Sequence, residues 1–169
     1  TILYVGETLP DGSAKVQDNP EIVGERFNQK AWVPAHPGLQ DNGPGNIRIL
    51  RYADVLLLAA EALNENNKSA EALVYVNMIR KRARGNSVVL LKDITTTVQS
   101  ELREKIYKER RVELAMEQQR WFDLLRWGRA GSTMTALGKA FVTGKHELMP
   151  IPQSEVDLTS GKIAQNPMY

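Results

Sequence analysis

Apolar residues recur along this chain at helical spacing, and charged residues interrupt the stripe at its far end. Between Val98 and Gly128, Val98, Leu102 and Ile106 return every four residues and mark one face of a helix. The same turn carried onward places Glu109, Glu113, Glu117 and Arg120 within that stripe, with Val112 and Met116 beside them. Carboxylates on a packing face need cations, because a buried unpaired charge costs several kcal/mol. Arg110, Arg111, Arg120 and Arg126 are the candidates nearest in the chain. Glu117, Arg120, Asp123 and Arg126 alternate in sign every three residues, a spacing at which helical side chains meet. Trp121, Phe122, Leu124, Leu125 and Trp127 follow as large groups expected to be covered, and Gly128 supplies a stop. The pattern predicts one long helix, or two abutting ones, docked through a charged seam.

Two further helices precede it. From Asn46, read as an N-cap, to Asn64 the residues are apolar nearly all round, so this helix should be covered on both flanks. Ser69 is expected to cap a second helix with the stripe Leu73, Val76, Ile79 and Ala83, ended by Gly85. The short link predicts antiparallel packing, and the pair resembles a single tetratricopeptide unit. Residues 86–97 read as a linker. Residues 130–145 are small and polar, with a helical turn expected at 136–141. After the prolines at 150 and 152 one short turn should begin at Gln153 or Ser154. The whole is therefore mostly α, with extensive irregular loops.

Residues 1–45 differ in kind. They hold six of the twelve glycines and five of the eight prolines, and only Ile2 to Val5 reads as a strand, without a matching partner. An irregular segment of this length is uncommon in a compact domain. The expected division is thus a loop-rich segment at 1–45, packing on a missing N-terminal part or forming binding loops, and a helical domain at 46–169. Within the first segment, Trp32 could stack on a sugar ring with His36 donating a hydrogen bond beside it. Alternatively, Trp32 plugs the loop onto the core.

Composition narrows the chemistry. Lys and Arg number 22 against 20 Asp and Glu, which gives no reason to expect nucleic acid as a partner. With no cysteine, disulfides and thiolate metal sites are excluded. Two histidines, His36 and His146, are too few for a histidine-rich metal site, and a His-based triad is not expected. No glycine-rich phosphate cradle is present, and no apolar run approaches the roughly 20 residues that span a bilayer. A glycosidase-type pair should face each other across a cleft, whereas Glu109, Glu113 and Glu117 climb one helix among arginines. The expectation is a protein without catalytic residues, cofactor or metal. The absence of an initial methionine reads as a piece of a longer protein or a processed form.

Three stretches together resemble the C-terminal part of the SusD/RagB family, the surface glycan-binding lipoproteins of Bacteroidota. They are Ile49 to Leu63 with Ala72-Leu73 and Asn77 to Arg80; Glu109 to Ala115 with Arg120 to Arg126; and Pro150 to Val156 with Gln165-Asn166-Pro167. The closing Asn166-Pro167-Met168-Tyr169 is similar to the family's Asn-Pro-Gly-Tyr ending, with Met168 in place of glycine, which suggests that the natural C-terminus is present. The resemblance implies a SusD-like α-α superhelix tethered by an N-terminal lipid, absent here, to the outer membrane and facing outward. It implies capture of oligosaccharides or polysaccharide for a partner SusC-like TonB-dependent transporter, without turnover. It also implies a structural role for Glu109, Glu113, Arg120 and Asp123. The other reading is a protein-docking helical module that holds the transporter without binding glycan.

Overall fold

The structure is a computed structural model that describes the backbone of residues 2–4 and 26–28, Lys30, and residues 48–169. Two compact units divide the chain, residues 1–117 and residues 118–169.

The first unit is organised on three helices, α1 (Tyr52–Glu65), α2 (Ser69–Arg84) and α3 (Gln99–Glu113). Ala53, Leu56, Leu57 and Ala60 of α1 pack with Ala72, Val76 and Ile79 of α2 and Leu102 and Ile106 of α3, with Ile94 closing the cluster. Val76, Ile79, Leu102 and Ile106 are positions of the helical stripes of the sequence, whereas Ala83 and Val98 of those stripes are exposed and Ala72 is buried instead; burying the cluster supplies the main stabilisation. Two three-residue strands, β1 (Ile2–Tyr4) and β2 (Arg26–Asn28), pair antiparallel with Leu3 opposite Phe27. The first strand thus has the partner that the sequence pattern did not reveal.

The turn between α1 and α2 is made by Asn67, at φ 60. The Lys68 N–H reaches back to the Leu63 carbonyl and the Asn67 N–H to that of Asn64, a left-handed C-cap that favours glycine or asparagine. Ser69 does not cap α2. Its hydroxyl donates to Asn64 Oδ1 at 2.8 Å, and Asn64 Nδ2 donates to the Gln99 carbonyl at 3.0 Å. One fully buried asparagine therefore ties the end of α1 to the starts of α2 and α3. Asn77 does the same for residues 85–98, its side chain bonding both N–H and C=O of Ile94 at 2.9 Å.

Two expectations for α1 need correction. It starts at Tyr52 instead of following a cap at Asn46, because Arg51 is extended (φ −123, ψ 154); Asn46 itself lies outside the described residues. Among the described residues it is also covered on one flank only: Tyr52, Val55 and Leu58 are 70, 44 and 41 % exposed.

The second unit carries α4 (Arg120–Arg126), α5 (Ala130–Ala136) and α6 (Gln153–Leu158). Of the two arrangements expected for residues 98–128, two separate helices are found. The break at 114–119 contains Met116 and Gln118 at φ 65 and 62. Gly128, at φ 64, ends α4 through bonds from its own N–H to Leu125 and from the Arg129 N–H to Leu124. Helix α5 lies six residues before the expected turn, closed in the same way by Gly138 at φ 68. Phe122, expected to be covered, is 63 % exposed. The last residues clip onto 148–151: Gln165 bonds both N–H and C=O of Ile151, Asn166 Nδ2 reaches the Met149 carbonyl, and the Tyr169 hydroxyl that of Leu148.

Candidate functional site

The carboxylates at the end of α3 sit in a dense charged cluster. Helix α3 stops at Glu113, and the following turn returns Glu117 beside it. Extended Arg51 reaches both: its Nε donates to Glu117 Oε2 at 2.6 Å, and its Nη2 to Glu117 Oε1 at 2.8 Å and Glu113 Oε1 at 3.0 Å. The Arg82 Nη2 takes both oxygens of Glu113, at 2.7 and 2.6 Å. Lys30 donates to Glu117 Oε1 at 2.6 Å and to the carbonyls of Glu113 and Ala115 at 2.6 and 3.0 Å. Those carbonyls end a helix, where a cation is favoured by the helix dipole.

Two deeper pairs lie along the same helix. Arg110 Nη1 donates to Asp54 Oδ1 at 2.7 Å, with side chains 3 and 9 % exposed, and so joins α3 to α1. Arg80 Nη1 donates to Glu109 Oε2 at 2.6 Å and joins α2 to α3. Arg80 also holds the Lys92 carbonyl through Nε and Nη2, at 2.9 and 2.7 Å. The cations on Glu109, Glu113 and Glu117 therefore come from Lys30, Arg51, Arg80 and Arg82, more distant in sequence than Arg110, Arg111, Arg120 and Arg126.

Electrostatics follow the geometry. Burial opposes ionisation of Glu117, but hydrogen bonds from Arg51 and Lys30 outweigh it and hold the carboxyl below the usual carboxylate range. Arg51 is raised, chiefly by its bond to Glu117, against the opposing effect of burial. A carboxylate held ionised in this way accepts hydrogen bonds and balances charge, but it has no proton to give at neutral pH. Among the described residues every buried side-chain nitrogen and oxygen has a hydrogen-bond partner, and no cluster of three or more His, Cys, Asp or Glu could hold a metal ion.

The remaining residues of the alternating run lie in the second unit. Asp123 is buried and accepts from Arg126 Nε at 3.0 Å, the i,i+3 pair that the spacing predicts. The guanidiniums of Arg120 and Arg126 lie 5.7 and 4.9 Å from the centre of the Trp127 ring. Trp121 meets Phe141 edge-on, and Phe141 meets His146 likewise. His146 Nδ1 accepts the Val142 N–H at 2.9 Å, and Glu147 Oε2 accepts the Gly144 N–H at 2.8 Å. Both side chains bond to the backbone of their own loop. Trp32 and His36, the residues expected to meet sugar, lie outside the described residues.

Lys30, Arg51, Arg80 and Arg82 are the partners that sequence reasoning missed, and Lys30 and Arg51 are the farthest from α3 in the chain. No periodicity links them to α3, since Arg51 stands 62 and 66 positions from its carboxylate partners and Lys30 stands 87 from Glu117. Among the described residues no helix is long and apolar enough to cross a membrane.

Comparison with known proteins covers most of this region. Residues 26–169 match the SusD family. SusD-like protein P2 of Formosa agariphila is 39% identical over 127 residues, which are 71% of this chain and 25% of that protein. Surface glycan-binding protein A from Bacteroides thetaiotaomicron superposes with a TM-score of 0.60 at 34% identity, covering 75% of this chain and 26% of that one. A laminarin-binding SusD-like protein gives a TM-score of 0.58 at 36% identity, covering 74% and 23%. The chain thus spans about a quarter of the length of the relatives it matches.

Proposed function

This chain belongs to the SusD family, and from that premise we propose that its full-length protein captures oligosaccharide or polysaccharide at the bacterial cell surface. The observation that carries the reading is the likeness, at 34% and 36% identity, to one protein named as a surface glycan-binding protein and another named as binding laminarin. In this reading the protein is a lipoprotein of the outer membrane that passes its cargo to a SusC-like TonB-dependent transporter.

The protein binds and does not cut. Glu109, Glu113 and Glu117 brace the helices through their ion pairs, together with Arg120, Asp123 and Arg126 in the second unit, and none of these groups attacks or protonates a sugar. Recognition rests on aromatic stacking and a few fixed hydrogen bonds. Trp32 is the proposed stacking platform and His36 its neighbouring donor.

A glycan array on the full-length protein, with Trp32→Ala beside it, tests this reading. The expected result is binding to a defined set of glycans, no release of reducing sugar, and at least tenfold weaker binding by the variant. No binding to any glycan, together with retained binding to the transporter, would replace glycan capture by a docking role. Unchanged affinity in the variant would remove Trp32 from the site.

A further inference from the structure

Helix α3 stops at Glu113 although nothing in the next six residues calls for a stop. Leu114, Ala115, Met116, Glu117, Gln118 and Gln119 are all strong helix formers, with no glycine, proline or β-branched residue among them. Extending an existing helix through such residues is favourable, since each residue fixed adds a hydrogen bond. The chain breaks instead, and Met116 and Gln118 take left-handed φ values of 65 and 62, which any side chain larger than glycine's disfavours. Strain of this kind persists only where the surroundings impose it.

Two cations from distant segments impose it. A helix continuing past Glu113 would bond the Glu113 carbonyl to the Glu117 N–H and the Ala115 carbonyl to the Gln119 N–H. Lys30 Nζ donates to the Glu113 carbonyl at 2.6 Å and to the Ala115 carbonyl at 3.0 Å, and Arg51 Nη2 donates to the Glu113 carbonyl at 3.1 Å. Both lone pairs of the Glu113 carbonyl are thus taken, and the Glu117 N–H turns to the Leu114 carbonyl at 3.2 Å. The Glu117 carboxylate, paired with the same two cations, fixes the far side of the turn. Leu114 is buried as well, but its N–H keeps the helical bond to the Arg110 carbonyl at 2.9 Å, so it holds the same place whether or not the helix continues. No neighbour in the chain supplies the donors, since Lys30 and Arg51 stand 83 and 62 positions from Glu113.

We propose that α3 ends at Glu113 only while Lys30 and Arg51 occupy its terminal carbonyls, and that withdrawing both lets the helix run through residues 114–119 into α4. The chain before α1 is then a latch on the end of α3. The proposal does not depend on the glycan reading. These 169 residues contain no cysteine, so nitroxide labels can be attached at Glu104→Cys and Phe122→Cys, two exposed positions, in the full-length protein after any other cysteine is replaced by serine. On one continuous helix the two positions lie five turns apart, about 27 Å. Pulsed electron–electron dipolar spectroscopy reads the distance. The expected result is a native population away from that distance, and a new population at it when Lys30→Met and Arg51→Met are combined. The same distribution in both proteins overturns the proposal.

Two further variants separate the latch from other causes. Glu113→Gln with Glu117→Gln leaves both cations on the main-chain carbonyls and should keep the native distribution; loss of it would overturn the proposal by placing the latch in the carboxylates. Met116→Gly with Gln118→Gly, added to the Lys30→Met/Arg51→Met protein, relieves the strain and lowers helix propensity, and should restore the native distribution. A population at about 27 Å that persists there also overturns the proposal. If the Lys30→Met/Arg51→Met protein does not fold, the two substitutions are read singly, each leaving one donor on the Glu113 carbonyl. A minor population at that distance in either supports the proposal, and its absence from both contradicts it.

Discussion

Arg51 joins two carboxylates that the chain order keeps apart, donating to Glu117 through two nitrogens and to Glu113 through one of them. Replacing Arg51 by alanine leaves Glu113 with Arg82 and Glu117 with Lys30, and should destabilise the protein by about 2 kcal/mol in urea denaturation. The same network sets a pH dependence. The folded-state carboxyl of Glu117 lies below its ordinary value of 4.5, so its contribution is complete above that value and is lost as pH falls through the lower folded-state value. Thermal midpoints between pH 7 and pH 3 should fall more steeply for the native protein than for Glu117→Gln, which no longer titrates there. At the far end of the chain Met168 holds φ 68 and is 60 % exposed, a left-handed position that a side chain strains. A glycine there, as in the Asn-Pro-Gly-Tyr ending that this one resembles, would hold the same φ without strain. Met168→Gly should raise stability by about 0.5–1 kcal/mol, the relieved strain exceeding the entropy gained by the unfolded chain; a rise in thermal midpoint checks it, and a fall contradicts it.

Between elements, Asp54 and Arg110 form a deeply buried ion pair, pinning α3 to α1 beside a purely apolar cluster. Asp54→Ala should cost about 2–4 kcal/mol, because it takes one carboxylate away from a buried guanidinium. Chemical denaturation of the two proteins decides it; unchanged stability would contradict it. The element scale also shows how much of the fold the sequence discloses. Leu56 and Leu57 are not singled out, because their helix is apolar nearly all round, whereas Val76, Ile79, Leu102 and Ile106 are legible because helical periodicity is local. The break after Glu113 is not, because Met116 and Gln118 take left-handed turns without the glycine that usually announces them. Position is lost after Gly128: Gly138 closes α5 at Ala136, whereas the small and polar residues 130–145 suggest a turn only at 136–141, across that glycine. The acidic residues of the cluster stood out in the sequence, but Lys30 and Arg51 did not, since ion pairs over more than 60 positions leave no periodic trace.

At the scale of the molecule, the chain matches about a quarter of the length of its SusD-family relatives, and Trp32 is the platform proposed for the glycan. The proposed site asks for no chemistry from the carboxylates of the charged cluster, and the proposed glycan capture without turnover rests on that separation of bracing from binding. Isothermal titration of the full-length protein with a glycan identified on the array, comparing the native form with Glu113→Gln/Glu117→Gln, is the decisive test. The predicted result is the same affinity within a factor of two for both proteins, and a heat signal that ends at binding without continued turnover. A tenfold or greater loss of affinity in a variant that remains folded, or sustained heat from glycan cleavage in the native protein alone, would contradict it.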